Sequence, residues 1–321
     1  MNTDAIPVLR EFRGEVDLDA LIELLQAVAD QDKDGMEVSI EELRFEWISV
    51  EPGWIRDLRV WEAKSRFVAS VGALHSVEDE RRRIYLWHDV HPDWREPAFV
   101  DETTRVACDV SSMLVNGSGA MRSVTGAHQE WKRASLERAG FAHIRNFNRM
   151  SAPIAEGTAR PVLPDGFEIR PLDPSTEIDG WVAAANAGFA DHFEHHQMTA
   201  DEKRHRMTQD GYLPEIDLVL VDEVDRIVGI GTNSTETLAN GDKRGWVHLL
   251  ALLPEYRGRG LGRALLLYSM AGLRDAGYDR AYLGVDSGNE SGALKLYTSV
   301  GFQLEHHFLL YARDVDPDIG D

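Results

Sequence analysis

Between Pro254 and Leu266 the sequence reads PEYRGRGLGRALL, with Gly258, Gly260 and Gly262 interleaved with Arg257, Arg259 and Arg263. The stretch joins an apolar run, 245–253, to an apolar segment with helical spacing, about 260–276. A strand that feeds a glycine-rich turn into a helix makes an anion site. The first N–H groups of the helix lack partners, and its dipole is positive at that end. Glycine lets the backbone approach an anion closely, and the arginines add fixed positive charge. Two phosphate loops fail the comparison. A P-loop requires Lys and then Ser or Thr after its last glycine, whereas Gly262 precedes Arg263 and Ala264. A dinucleotide fingerprint requires G-x-G-x-x-G, whereas Gly258, Gly260 and Gly262 give G-x-G-x-G.

A third pattern, R/Q-x-x-G-x-G/A, is met by Arg257, Gly260 and Gly262. This stretch, which includes Leu261, resembles the pyrophosphate loop of the GCN5-related N-acetyltransferases (GNAT). The resemblance continues through LGVDSGNESGALKLYTSVGF, where Asn289, Ala293, Tyr297, Gly301 and Phe302 fall at the family's spacing. It covers about Gly166 to Arg313. It implies acetyl-CoA as co-substrate, with no metal, and direct attack by an amine within a ternary complex. It also implies that the pantetheine arm lies along 248–252 and bonds backbone groups of Leu250, Ala251 and Leu252. A backbone N–H there would face the carbonyl oxygen as oxyanion donor.

Tyr297 is the candidate acid. An ordinary phenol, pKa about 10, protonates a departing thiolate of pKa about 8.5 only slightly uphill. Its other reading is packing against Phe302. Asn289 either fixes the coenzyme or caps a helix. The resemblance implies a carboxylate base on the fourth strand, and the matching position here is Trp246, which takes no proton. His248, two residues on and on the same strand face, is the candidate base or else a satisfied buried histidine. Glu236 is the reserve. For the acceptor, GFADHFEHHQMT (188–199) offers apolar walls in Phe189 and Phe193 and anionic groups in Asp191 and Glu194. His192, His195, His196 and His205 lack H-E-x-x-H spacing and cysteine partners, so a polar helix junction is expected rather than a metal site.

The elements that must position these groups follow an α/β order twice. In the second half, strands are expected at 166–172, 216–222, 226–235, 245–253 and 280–286, with two more after Gly301. Helices are expected at 177–189, 199–209, 260–276 and 289–299. In the first half Pro92 lies opposite Pro254 at an offset of 162, and Gly140 opposite Gly301 at 161. Two landmarks at nearly one offset indicate a duplicated domain. At that offset PDWREPAFV replaces PEYRGRGLG, His128 stands opposite Asn289, and Leu136 opposite Tyr297. The expected fold class is α/β (α+β), with two tandem GNAT-like domains, each a mixed, largely antiparallel sheet flanked by helices. The expected boundaries are a degenerate domain at 1–150, a linker at 151–165 and a catalytic domain at 166–321. A tandem pair with its intact site in the second half resembles mycothiol synthase and its relatives.

Composition narrows the partners. The 321 residues carry a formal net charge of −21, which repels phosphate backbones and excludes nucleic acid. No apolar run approaches the roughly 18 residues of a membrane span. The single cysteine, Cys108, reads as a small buried residue in a reducing compartment, and no basic-then-apolar start indicates a signal peptide. A cytoplasmic acyltransferase, transferring acetyl by default to a small-molecule amine, is the expected function. The alternative is an inactive CoA-binding or structural tandem protein. Oligomeric state and the identity of the amine are not legible.

Overall fold

The run GWVHLLALL is apolar at nearly every position, the pattern of a strand covered on both faces, and it forms the centre of its sheet. In the computed structural model, residues 6–33, 39, 43–44, 47–48, 53–77, 79, 82–115, 118–193, 197–209, 211–238, 240–288 and 292–315 are described. The chain divides into two units: unit 1 is Met1–Phe147 with His306–Asp321, and unit 2 is Asn148–Glu305.

Unit 1 runs β1 (Val8–Glu11), α1 (Leu18–Asp32), β2 (Trp54–Ala63), β3 (Arg66–Ser76), β4 (Arg83–Val90), α2 (Pro97–Val115), β5 (Gly119–Gly126) and α3 (Glu130–Arg138). β6 (Ala142–Pro153) begins in unit 1 and passes into unit 2. Unit 2 continues with β7 (Glu168–Pro171), α4 (Ile178–Phe189), α5 (Ala200–Arg206), β8 (Leu218–Val221), β9 (Ile227–Thr237) and β10 (Lys243–Leu252). Then come α6 (Leu261–Asp275), β11 (Arg280–Asp286) and α7 (Ala293–Ser299), and β12 (Gln303–Val315) closes the chain.

The strand order is β1-β2-β3-β4-β5-β12 in unit 1 and β6-β11-β10-β9-β8-β7 in unit 2. Each unit repeats one device: a parallel pair embedded among antiparallel neighbours. In unit 1 it is β4 with β5, and in unit 2 it is β10 with β11. A helix connects the two strands of each parallel pair, as a parallel crossover requires. In unit 2, α6 lies close on the sheet because Gly245 carries no side chain there. A Cβ at Gly245 would come within 2.9 Å of Leu273.

Two features differ from the sequence reading. The segment after Gly301 is one strand of 13 residues, not two, since QLEHHFLLYARDV contains no Gly, Pro or Asn to turn it. From His306 onward it belongs to unit 1, where Phe308–Val315 pair with Gly126–Gly119 of β5. Cys108 is 7% exposed, and burial pushes its thiol up to about 11, so it is an inert core residue. No described helix is long and apolar enough to cross a membrane.

Candidate active site

The glycine-rich loop is an open nest of N–H groups. Gly258 and Gly260 adopt φ of 77° and 78°, which side-chain-bearing residues rarely take, and nothing lies within 4 Å of where their Cβ atoms would be. Gly260 is the N-cap of α6, without a side-chain cap and with no acidic residue in the first turn. The first loop-to-helix bond is Ala264 N–H to Gly260 O, at 3.1 Å. Among the described residues, no acceptor meets the N–H groups from Gly258 through Arg263. Six donors at a positive helix end suit a diphosphate. Arg257 braces the loop, donating to Leu252 O at 3.3 Å and to Gly188 O at 2.9 Å. Arg259 donates to Glu255 O at 3.0 Å and lies over Tyr256. Gly262 is different: it is helical, and a Cβ there would make ordinary contacts with Leu252 and Leu296.

Beside the loop, β10 and β11 part. They pair only through Gly245–Ala281 and Trp246–Tyr282, leaving Val247–Leu252 with no register partner on that side. Leu253 N–H donates to Val228 O at 2.9 Å, which makes that a hydrogen-bonded pair. Alternation then turns the backbone of Ala251 to β9 and that of Leu250 and Leu252 to the gap. Of the three residues expected along the coenzyme arm, Leu250 and Leu252 therefore turn their backbone groups to the gap, and Ala251 turns its own to β9. The side chain of Ala251 does other work. A Cβ at Gly188 of α4 would come within 2.7 Å of it, so α4 closes down on β10 at this point. Gly188 escaped the sequence reading, although a glycine inside a helical pattern signals such an approach.

His248 sits in a β-bulge. The register shifts between Val247, opposite Asn233, and Leu249, opposite Thr232, so His248 is the extra residue. Its ring stacks on Trp246, with centroids 5.8 Å apart and planes at 18°. Its Nε2 lies 2.6 Å from Ser234 Oγ. Desolvation, with the charge of Arg206 second, lowers its pKa to about 4. The side chain is open to solvent, so water tempers that lowering while leaving the imidazole neutral at neutral pH. Glu236 is opposite Arg244, with its carboxylate 3.8 Å from that guanidinium, so its charge is already engaged.

Tyr297 lies on α7, 9% exposed, in a cluster with Val247, Leu266, Met270 and Phe302. The ring packs at 6.0 Å from Phe302, as the packing reading expects, and the hydroxyl has no hydrogen-bond partner among the described residues. Burial pushes the phenol up to about 12. Full transfer to a thiolate is then steeper than for an ordinary phenol, while donation of a hydrogen bond is undiminished. Leu296, the preceding residue, packs toward Gly262 at the start of α6.

Asp191 is exposed and Phe193 is 36% exposed, both on the segment after α4. Half-buried His192 packs against Phe189 at 4.6 Å. Desolvation lowers its pKa, and it feels Asp286, which ends β11, and Arg257 of the glycine-rich loop. The helix that precedes this segment closes on β10 at Gly188, whose carbonyl accepts from Arg257 at 2.9 Å. Asn289 and Glu194, with His195 and His196, lie outside the described residues. Among the described residues no group of three His, Cys, Asp or Glu could hold a metal ion.

The corresponding loop of unit 1 is filled from within. Arg95, at the position of Arg257, grips Asp32 at the end of α1 with distances of 2.5 and 3.0 Å. Gln129 Nε2 and Trp131 Nε1 also donate to Asp32, and His128 Nε2 lies 2.6 Å from its backbone oxygen. Pro97 has no N–H, and the N–H groups of Phe99 and Val100 both donate to Glu96 O. Little of an anion nest remains.

Residues 181–302 match the model of the acetyltransferase (GNAT) family. The chain is 33% identical over 191 residues to a mycothiol acetyltransferase of Thermobispora bispora, an alignment covering 58% of this chain and 64% of that one. It is 29% identical over 228 residues to a mycothiol acetyltransferase of Pseudarthrobacter chlorophenolicus, covering 70% and 69%. The chain thus spans just under two thirds of the length of the Thermobispora relative. In fold it is similar to a GCN5-related N-acetyltransferase from Sphaerobacter thermophilus, with TM-score 0.80, 19% identity and 98% of each chain covered. It is also similar to a tandem GNAT protein from the clavulanic acid biosynthesis pathway, with TM-score 0.75, 12% identity, and 98% and 100% covered.

Proposed function

We propose that this chain, whose residues 181–302 form a domain of the acetyltransferase (GNAT) family, moves an acetyl group from acetyl-CoA to the amine of a small molecule. The observation that carries this reading is the run of unpartnered N–H groups from Gly258 to Arg263, opening beside strands that have parted. The nest holds the diphosphate, with Arg263 exposed beside it. Backbone groups of Leu250 and Leu252 bond the arm, and an N–H of this pair stabilises the oxyanion. The amine attacks the thioester carbonyl directly, its proton leaves to His248, and the Tyr297 hydroxyl supports the departing thiolate. Asp191 and Phe193 border the acceptor. Unit 2 carries this chemistry alone, and unit 1, with its loop filled, is scaffold.

The test is release of free CoA from acetyl-CoA by the full chain, across a panel of small amines that includes amino sugars, amino acids and polyamines. Release that depends on one amine class supports the reading. CoA binding without amine-dependent release from any member would leave a coenzyme-binding scaffold instead.

A further inference from the structure

We infer that Ser234 is the positioning residue of the proposed reaction: it engages Nε2 of His248, so that Nδ1 is the nitrogen that takes the proton of the acceptor amine. The inference rests on the acetyltransferase reading for its kinetic consequence, but not for its structural claim.

The geometry comes from the bulge. In an unbulged strand, His248 would have a cross-strand partner of its own on β9. As the extra residue it has none, and its ring folds back over Trp246. Ser234 is the register partner of Trp246, so its hydroxyl comes within 2.6 Å of Nε2. A neutral imidazole has one donor and one acceptor nitrogen, and the bond made by one nitrogen sets the role of the other. Among the described residues Ser234 Oγ is the one hydrogen-bond partner of this ring, and Nδ1 has none. We assign Nε2–H as the donor to Ser234 Oγ, the arrangement that leaves the Nδ1 lone pair without a partner among the described residues.

The proton count closes. The N–H bond of the amine breaks as an Nδ1–H bond forms, giving an imidazolium whose Nε2–H stays on Ser234, and water then removes the proton. The bond to Ser234 strengthens when the ring becomes charged. This favours the imidazolium in a setting that otherwise opposes it. The charged and titratable groups around the pair are Arg206 of α5, Glu236 of β9, Arg244 of β10, Tyr282 of β11 and Arg149 of β6. Arg206 disfavours the imidazolium. Arg149 and Tyr282 pack on Trp246, and Arg244 is spoken for by Glu236. None of these groups hydrogen-bonds the His248 ring, whose polar partner among the described residues is the Ser234 hydroxyl. Sequence alone gave no hint of it, since Ser234 lies fourteen residues away on another strand.

The tautomer is read directly by long-range 1H–15N correlation on the full chain with labelled histidine, with His248 assigned by its loss in His248→Gln. The inference predicts the Nε2–H tautomer at pH 7.5 in the wild type, a shift toward a mixture in Ser234→Ala, and recovery in Ser234→Thr. In parallel, kcat should fall about tenfold or more in Ser234→Ala with KM for acetyl-CoA unchanged, and Ser234→Thr should recover it. An Nδ1–H tautomer in the wild type, or a tautomer unaffected by Ser234→Ala, overturns the inference. The spectra decide this without any turnover, so an inactive protein would sink the functional reading and leave this one to be judged separately.

Discussion

Arg95 holds the Asp32 carboxylate through two nitrogens, at 2.5 and 3.0 Å, with both side chains largely buried and the guanidinium lying 4.4 Å over the ring of Trp131. Arg257, its counterpart in the repeat, spends its guanidinium on backbone oxygens and leaves the nest beside it open. One duplicated arginine thus closes a loop from inside in unit 1 and braces an open one in unit 2.

One coenzyme should therefore bind per chain. Equilibrium titration with CoA should give a stoichiometry near one, and a value near two would contradict the contrast between the loops. Gly260→Glu, which forces φ of 78° on a side chain and adds a carboxylate, should abolish tight binding. Gly262→Ala should retain it, because Gly262 is helical and its Cβ would meet only ordinary contacts.

Tyr297→Phe should lower kcat by about 10–1000-fold while leaving acetyl-CoA affinity nearly unchanged. With the phenol pushed up to about 12, the hydroxyl stays protonated through the assay range. Its loss should therefore lower the rate by a similar factor at every pH, with no alkaline limb near 10 belonging to this residue. Full activity in the variant at saturating substrate would remove Tyr297 from catalysis.

The parts of this molecule that were legible in sequence are those set by local rules. Gly258 and Gly260 announce a turn with positive φ, and the strand 280–286 falls where its apolar run and flanking glycines place it. The loss of the loop in unit 1 could be read from the offset alone. What was not legible depends on residues far apart in the chain. A bulge of one residue at His248 leaves no mark in the pattern of a largely apolar strand, yet it decides which side chains the ring meets. Nothing in the local sequence around Asp32 points to its partner Arg95, 63 residues on. The fate of β12 was hidden for the same reason: strand propensity does not say which sheet a strand joins.

His88 should make the protein acid-sensitive. It is fully buried, with Nε2 3.2 Å from Ser135 Oγ and Nδ1 without a partner, and burial holds its pKa well below the usual value. Above about 6.5 the folded and unfolded chains both keep it neutral. As pH falls below that value, the unfolded chain takes up a proton that the folded chain refuses, so stability is lost on the acid side. His88→Phe keeps most of the ring volume, and Ser135 and Thr104 still donate to backbone oxygens. In urea unfolding, the drop in stability between pH 7.5 and 5.5 should shrink by about 1 kcal/mol in the variant. An equal drop in both proteins would show that His88 charges freely in the folded state.

A chain ending at Glu305 should loosen unit 1 while sparing the candidate site. Residues 306–315 supply β5 with eight register partners, from Phe308 to Val315. They also supply buried Phe308, Leu310 and Tyr311, the last bonded to Glu137 at 2.9 Å. Removing them exposes one edge of β5 and withdraws apolar side chains worth on the order of 2 kcal/mol each. The other edge of β5 keeps its pairing with β4 through Ala120–Arg122. Hydrogen exchange should therefore quicken at the amides of 119–126 that face β12, more than at those facing β4. The loop 257–263 and the gap beside Leu250 and Leu252 lie wholly within Asn148–Glu305, so CoA titration should still give one site. Unchanged protection across β5 in the shortened chain would show that unit 1 does not need the last strand, and that its sheet is complete without it.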